Sequence, residues 1–197
     1  MRKIFANLIV ATCLVFLTAF RLVTDYSNTA VIQQVDSLRV EYIPETITYS
    51  QPSDFELFAD AIAQFESNNT YDVVNRFGMM GKYQFSPSTV EFLGYDVTEE
   101  EFLNNPVLQD KVFRSYVLSN ARQLMDIINN YEGKSHNGVV ITTSAVLAGA
   151  HFAGATGFRR WFTGKGETVD ANGTTLTSYM NRFVDYDLEI VDFISDE

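Results

Sequence analysis

Two patterns of hydrophobic and polar positions divide the chain. Residues 4–20 are apolar almost without a break, with Arg2 and Lys3 before them and Arg21 after, whereas beyond Ser53 apolar residues recur at helical spacing between polar ones. Ser53 and Glu56 form a capping box, and Phe55, Phe58, Ile62 and Phe65 follow on one stripe, which predicts a helix over residues 54–66. Ser86 and Pro87 predict the start of a short helix that Gly94 stops. Thr98 and Glu101 make a second capping box, with Glu99, Glu100 and Glu101 as the negative first turn of its helix. Asn105 and Pro106 then open a long helix whose stripe runs through Leu108, Val112, Tyr116, Ala121, Leu124 and Ile128 to an end near Gly133. Residues 139–141 alone have strand character. The Ala-rich run 144–153 predicts a buried helix ending at Gly154, residues 158–162 a further short helix, residues 170–173 a turn and residues 176–184 a last helix. The predicted fold class is mainly α, without internal repeats.

The apolar run at the amino terminus is a targeting segment. It is longer than the usual core of a cleaved signal and just reaches the length of a membrane span, and no small-residue cleavage site separates it from Arg21. Residues 1–27 therefore read as a signal anchor or signal peptide, with the uncleaved anchor favoured and the amino terminus held in the cytoplasm by Arg2 and Lys3. Cys13 lies inside the run, which continues past it, so a lipoprotein site is disfavoured. Residues 28–52, polar and carrying Pro44 and Pro52, read as a stalk, and residues 53–197 as one domain of ordinary size. The expected location is the periplasm or cell envelope, with the membrane contacted through the N-terminal segment.

Composition narrows the function classes. With 46% hydrophobic and 14% aromatic residues the chain buries a core, and its single cysteine excludes an intramolecular disulfide and Cys-rich metal sites. A net charge of -11, or -13 once residues 1–27 are set aside, excludes nucleic acid as a partner.

Glu66 continues the inward stripe of the first predicted helix, four residues after Ile62, at a place where a solvated carboxylate is not expected. Burial and the negative end of the helix dipole both disfavour its anion, and a carboxyl kept protonated near neutral pH is suited to general-acid cleavage of a glycosidic oxygen. The plainer alternative is a helix-terminal glutamate that hydrogen-bonds a neighbouring loop.

Residues 65–69 (Phe65, Glu66, Ser67, Asn68, Asn69) and 78–89, the latter containing Gly81, Lys82, Tyr83, Gln84 and then Ser86, Pro87, Ser88 and Thr89, resemble the soluble lytic transglycosylase group of the lysozyme-like superfamily. Residues 141–154 are similar to its third motif, an Ala-rich helix with an aromatic or imidazole residue before a glycine, and residues 170–183 resemble the end of a subgroup found in bacterial and phage wall-degrading proteins. The resemblance covers about residues 55–184. It implies a lysozyme-like fold that cleaves peptidoglycan glycan strands between N-acetylmuramic acid and N-acetylglucosamine, leaving 1,6-anhydromuramic ends. It places Glu66 as the catalytic acid, Ser67 as a hydroxyl supporting it, and Gln84 on the glycan cleft. His151 stands where the family usually has tyrosine, and Phe152 where it usually has asparagine; His151 is thus either a ligand of the glycan or of Glu66, or a core histidine. The implied mechanism uses no metal and no cofactor.

Tyr71, Tyr83, Trp161 and Tyr179 are candidate stacking platforms, with Tyr83 and Tyr179 taken as the glycan-binding ones. Asp72 is the candidate second carboxylate of a hydrolase, and Asp170 to Gly173 reads as a plain turn in preference to a calcium loop with Glu167. Two alternatives to the transglycosylase stay open: a hydrolytic muramidase, and a catalytically inactive glycan-binding or structural module. The departure at Phe152 keeps the latter open, while the intact Glu66, Ser67 and Gln84 count against it.

Overall fold

The computed structural model describes residues 52–189. The leader and nearly all of the stalk lie outside the described residues. Among the described residues no helix is long and apolar enough to cross a membrane.

The chain is mainly α, and its helix starts follow from local capping. Helix α1 (Asp54–Ser67) begins at Ser53, whose N–H donates to Glu56 Oε2 at 2.7 Å while its hydroxyl accepts the Glu56 N–H at 3.3 Å. Its stripe Phe55, Phe58, Ala59, Ile62 and Ala63 is buried, and Asn68 closes it in the left-handed region. Helix α2 (Pro87–Phe92) is capped by Ser86, α3 (Glu99–Leu103) by the Thr98–Glu101 box, and α4 (Pro106–Tyr131) by Asn105. Strands β1 (Ser135–His136) and β2 (Val139–Val140) pair antiparallel around Asn137 and Gly138, both at positive φ. Two-residue Asn-Gly turns match strand twist in this way, so a hairpin stands where only an isolated strand was expected.

Helix α5 (Thr143–Phe162) is interrupted at Gly154, whose φ of 70° and ψ of 159° break the helix. The expected stop at Gly154 is thus a kink, and the short helix foreseen at 158–162 begins directly after it. Helix α6 (Leu176–Met180) is shorter than the expected 176–184. Arg182 and Phe183 donate to the carbonyls three residues earlier, Tyr179 and Met180, which tightens the chain into turns instead of continuing the helix.

Two apolar clusters hold the domain. One gathers Phe58, Ile62, Phe113 and Val117 between α1 and the first half of α4; the other joins Leu124, Ile141, Val146, Phe158 and Leu176 where α4, the hairpin, α5 and α6 meet. Gly149 lets α5 approach closely, since a Cβ there would lie 2.9 Å from Phe158 and 3.0 Å from Met180. Glu66, at the end of α1, and His151, on α5, come together where the first cluster opens to solvent.

Candidate active site

An open cleft of about 590 Å³ is lined by Glu66 and Phe65 from α1, Gln84 and Phe85 from the following turn, His151 and Phe152 from α5, and Asp170 to Asn172 from the loop before α6. Glu66 is half-buried, with its side chain 21% exposed. Its Oε1 accepts the Tyr179 hydroxyl at 2.7 Å. Burial raises the Glu66 carboxyl above the ordinary glutamate range; the Tyr179 hydrogen bond pulls it back down, and the charge of Asp170 pushes it up again. The net direction is upward, as a proton donor near neutral pH requires.

His151 Nε2 lies 3.8 Å from Glu66 Oε1, beyond hydrogen-bonding distance. The imidazole is buried edge-on among Phe85, Phe113 and Tyr116, and its Nδ1 makes no hydrogen bond among the described residues. Burial pushes its pKa down to about 4, against a weaker upward pull from the Tyr83 backbone. His151 is therefore neutral where Glu66 ionises, and the two make no ion pair. Its contribution at neutral pH is a nonionic wall beside the acid.

The turn carrying Gln84 is locked from behind. Gly81 adopts a φ of 71°, and a Cβ on it would collide with Gln109 Oε1. Gln109 is fully buried; its Oε1 accepts the Lys82 N–H at 2.8 Å, and its Nε2 donates to the carbonyls of Phe102 at 2.9 Å and Tyr71 at 3.0 Å. Met80 and Phe85 close the turn through paired backbone bonds, and Gln84 itself sits at a φ of 52° with its Nε2 on the Gly81 carbonyl. Lys82 reaches Asp60 at 3.0 Å, the Tyr71 hydroxyl at 3.2 Å and Asp110 at 3.7 Å, pinning the turn to α1 and α4.

Several expected site residues take other places. Tyr83 is 2% exposed, stacks on Phe113 at 4.0 Å and donates to Asp110; its ring belongs to the core and offers no face to a sugar. Tyr179 is also fully buried, so it acts on Glu66 through its hydroxyl and is no stacking platform. Ser67 donates to the Lys82 carbonyl at 2.8 Å and accepts the Thr70 N–H, tying α1 to the turn without a hydrogen bond to the Glu66 carboxylate. Tyr71 bonds Asp110, and Trp161 lies in the second cluster with its Nε1 on Thr177. Asp72 is exposed on its loop and does not line the cleft. The cleft's second acid is Asp170, which the sequence presents as an ordinary turn residue. Glu167 accepts the Thr177 N–H, so both acids of the supposed calcium loop hold backbone.

Two exposed aromatic walls also escape the pattern. Phe65, at 40% exposure, carries the Arg182 guanidinium over its ring at 5.0 Å, and Phe77, at 55%, carries that of Arg76 at 4.7 Å. The helical stripe assigns Phe65 inward, and only the ending of α1 at the cleft turns it outward. No family model, curated protein or solved structure matches this chain.

Proposed function

We propose that this chain is an exported, membrane-tethered enzyme with a lysozyme-like domain that cleaves the glycan strands of peptidoglycan as a lytic transglycosylase. The observation that carries the reading is Glu66: a half-buried carboxyl of raised pKa in an open cleft, held by a short hydrogen bond from Tyr179. Glu66 protonates the oxygen bridging N-acetylmuramic acid and N-acetylglucosamine, and the bond from that oxygen to the anomeric carbon breaks. The carboxylate then takes the proton of the muramic acid 6-hydroxyl as this attacks the anomeric carbon, giving the 1,6-anhydro end. Phe65, Phe77 and Gln84 supply apolar and amide surface for the sugars, in keeping with the motif resemblance at residues 65–89.

A hydrolytic muramidase is the second reading, and Asp170 favours it, because a second cleft acid can serve an attacking water. Release of soluble muropeptides from purified sacculi tests both. The wild type is expected to release them, with Glu66→Gln slower by a factor of about 10² or more. Equal rates would remove Glu66 from the mechanism.

A further inference from the structure

The loop between α5 and α6 brings Asp170 into the cleft that contains Glu66. Its Oδ1 accepts two backbone N–H groups, from Asn172 at 2.8 Å and Thr174 at 2.7 Å. The Asp170 N–H donates to the Thr174 carbonyl, and Val169 pairs with Thr175 beyond it. The side chain is thus fixed by its own turn, and its Oδ2 takes no hydrogen bond among the described residues. It forms no ion pair among the described residues; Arg182 lies over Phe65, and Arg159 is paired with Asp126. A fixed carboxylate with a free oxygen, lining the same open cleft as a protonatable acid, can act on charge that develops on a substrate bound there.

We propose that Asp170 is the second acid of the catalytic centre, the carboxylate that opposes the positive charge built at the anomeric carbon while Glu66 protonates the leaving oxygen. The proposal rests on the glycan-cleavage reading. As the proton passes from Glu66 to the bridging oxygen, the bond to the anomeric carbon breaks with its electron pair on that oxygen, leaving the carbon electron-poor. Asp170 forms no bond to it; its charge stabilises this stage. The acceptor, a 6-hydroxyl or a water, then forms the new carbon–oxygen bond and returns its proton to Glu66.

The same charge adds to the upward shift of the Glu66 carboxyl, whose largest cause is burial. The titratable groups facing Glu66 are Tyr179 from α6, which favours its anion, His151 from α5, which is neutral, and Asp170, which disfavours the anion. Arg182 acts on Tyr179.

Asp170→Asn in the full chain isolates the charge, because an amide oxygen still accepts from Asn172 and Thr174 and leaves the turn intact. With soluble uncrosslinked glycan strands as substrate, kcat is expected to fall roughly 10²-fold while KM stays within about threefold. The alkaline limb of the pH profile should move to lower pH, and the Glu66 carboxyl, followed by NMR without substrate, should titrate lower. Asp170→Glu, which keeps the charge but displaces it, should lower kcat while leaving the alkaline limb near its wild-type position. This second variant also serves if Asp170→Asn proves poorly folded. A kcat within threefold of wild type together with an unmoved Glu66 titration overturns the assignment and leaves the glycan-cleavage reading standing. If the wild type itself cleaves no glycan, both fall together.

Discussion

Replacing Glu66 by Gln should make the protein more stable at neutral pH while making it inactive. The substitution keeps the size of the side chain and an oxygen to accept the Tyr179 hydroxyl, so the 2.7 Å bond survives as a neutral one. What disappears is a half-buried ionisable group. Because the folded Glu66 pKa lies above its ordinary value, the favourable contribution of its protonated form is complete below pH 4.5 and is lost as pH rises through the raised folded value. At pH 7, above the ordinary glutamate range, folding of the wild type costs free energy, either to bury the anion or to take up a proton, and the glutamine variant bears neither cost. Burying an imperfectly compensated polar group costs about 1–3 kcal/mol in proteins. The charge assistance lost from the Tyr179 bond offsets about 1 kcal/mol of that. The net gain is about 1 kcal/mol, or an increase in Tm of about 3 °C for a domain of this size. Below pH 4.5 a protonated glutamate resembles glutamine and the difference should vanish; the titration of His151 is common to both proteins and cancels. Melting curves by circular dichroism at pH 7 and pH 4, with muropeptide release measured alongside, supply the comparison. A variant less stable than wild type at pH 7, or an offset equal at both pH values, would refute the account of the Glu66 environment.

Tyr179→Phe removes the hydroxyl that donates to Glu66, so the alkaline limb of activity should move to higher pH, opposite in sign to Asp170→Asn; a downward move would contradict the reading. His151 has its folded pKa depressed to about 4 from 6.5, so its contribution is present above pH 6.5 and lost as pH falls toward 4, an effect of about 3 kcal/mol. Denaturant titrations should show His151→Phe gaining on the wild type over that window, and a constant difference would count against it. Gln109→Leu strands the buried Lys82 N–H and the carbonyls of Tyr71 and Phe102. It should cost about 3 kcal/mol in urea denaturation, with under about 1 kcal/mol refuting the role given to Gln109.

Signals that act over a few residues were readable in the chain. The capping residues Ser53, Ser86, Thr98 and Asn105 all cap helices, because an N-cap is a bond between residues three apart. The stripe Phe58, Ile62, Glu66 likewise anticipates a half-buried carboxyl. The Asn137–Gly138 hairpin turn was legible in principle, since that dipeptide is a strong local signal. The partners of Glu66 were not. Tyr179 lies 113 residues away, and its hydroxyl meets Glu66 only because α6 packs on α5. Aromatic spacing marks Tyr83 and Tyr179 as large side chains without saying which face the wall of a cleft and which fill a core. Asp170 is hidden by its own turn chemistry: an aspartate opening the turn Asp170-Ala171-Asn172-Gly173 satisfies local backbone whether or not its second oxygen has other work.

The claim at the centre of this account is that Glu66 drives cleavage of the glycan strand itself. Mass spectrometry of purified sacculi digested by the full chain, with Glu66→Gln in parallel, tests it most directly. The wild type should yield muropeptides ending in 1,6-anhydromuramic acid, one water lighter than hydrolysed ends, and the variant at most traces. Fragments with intact glycan strands cut only in their peptides, or the same products in equal yield from Glu66→Gln, would contradict it.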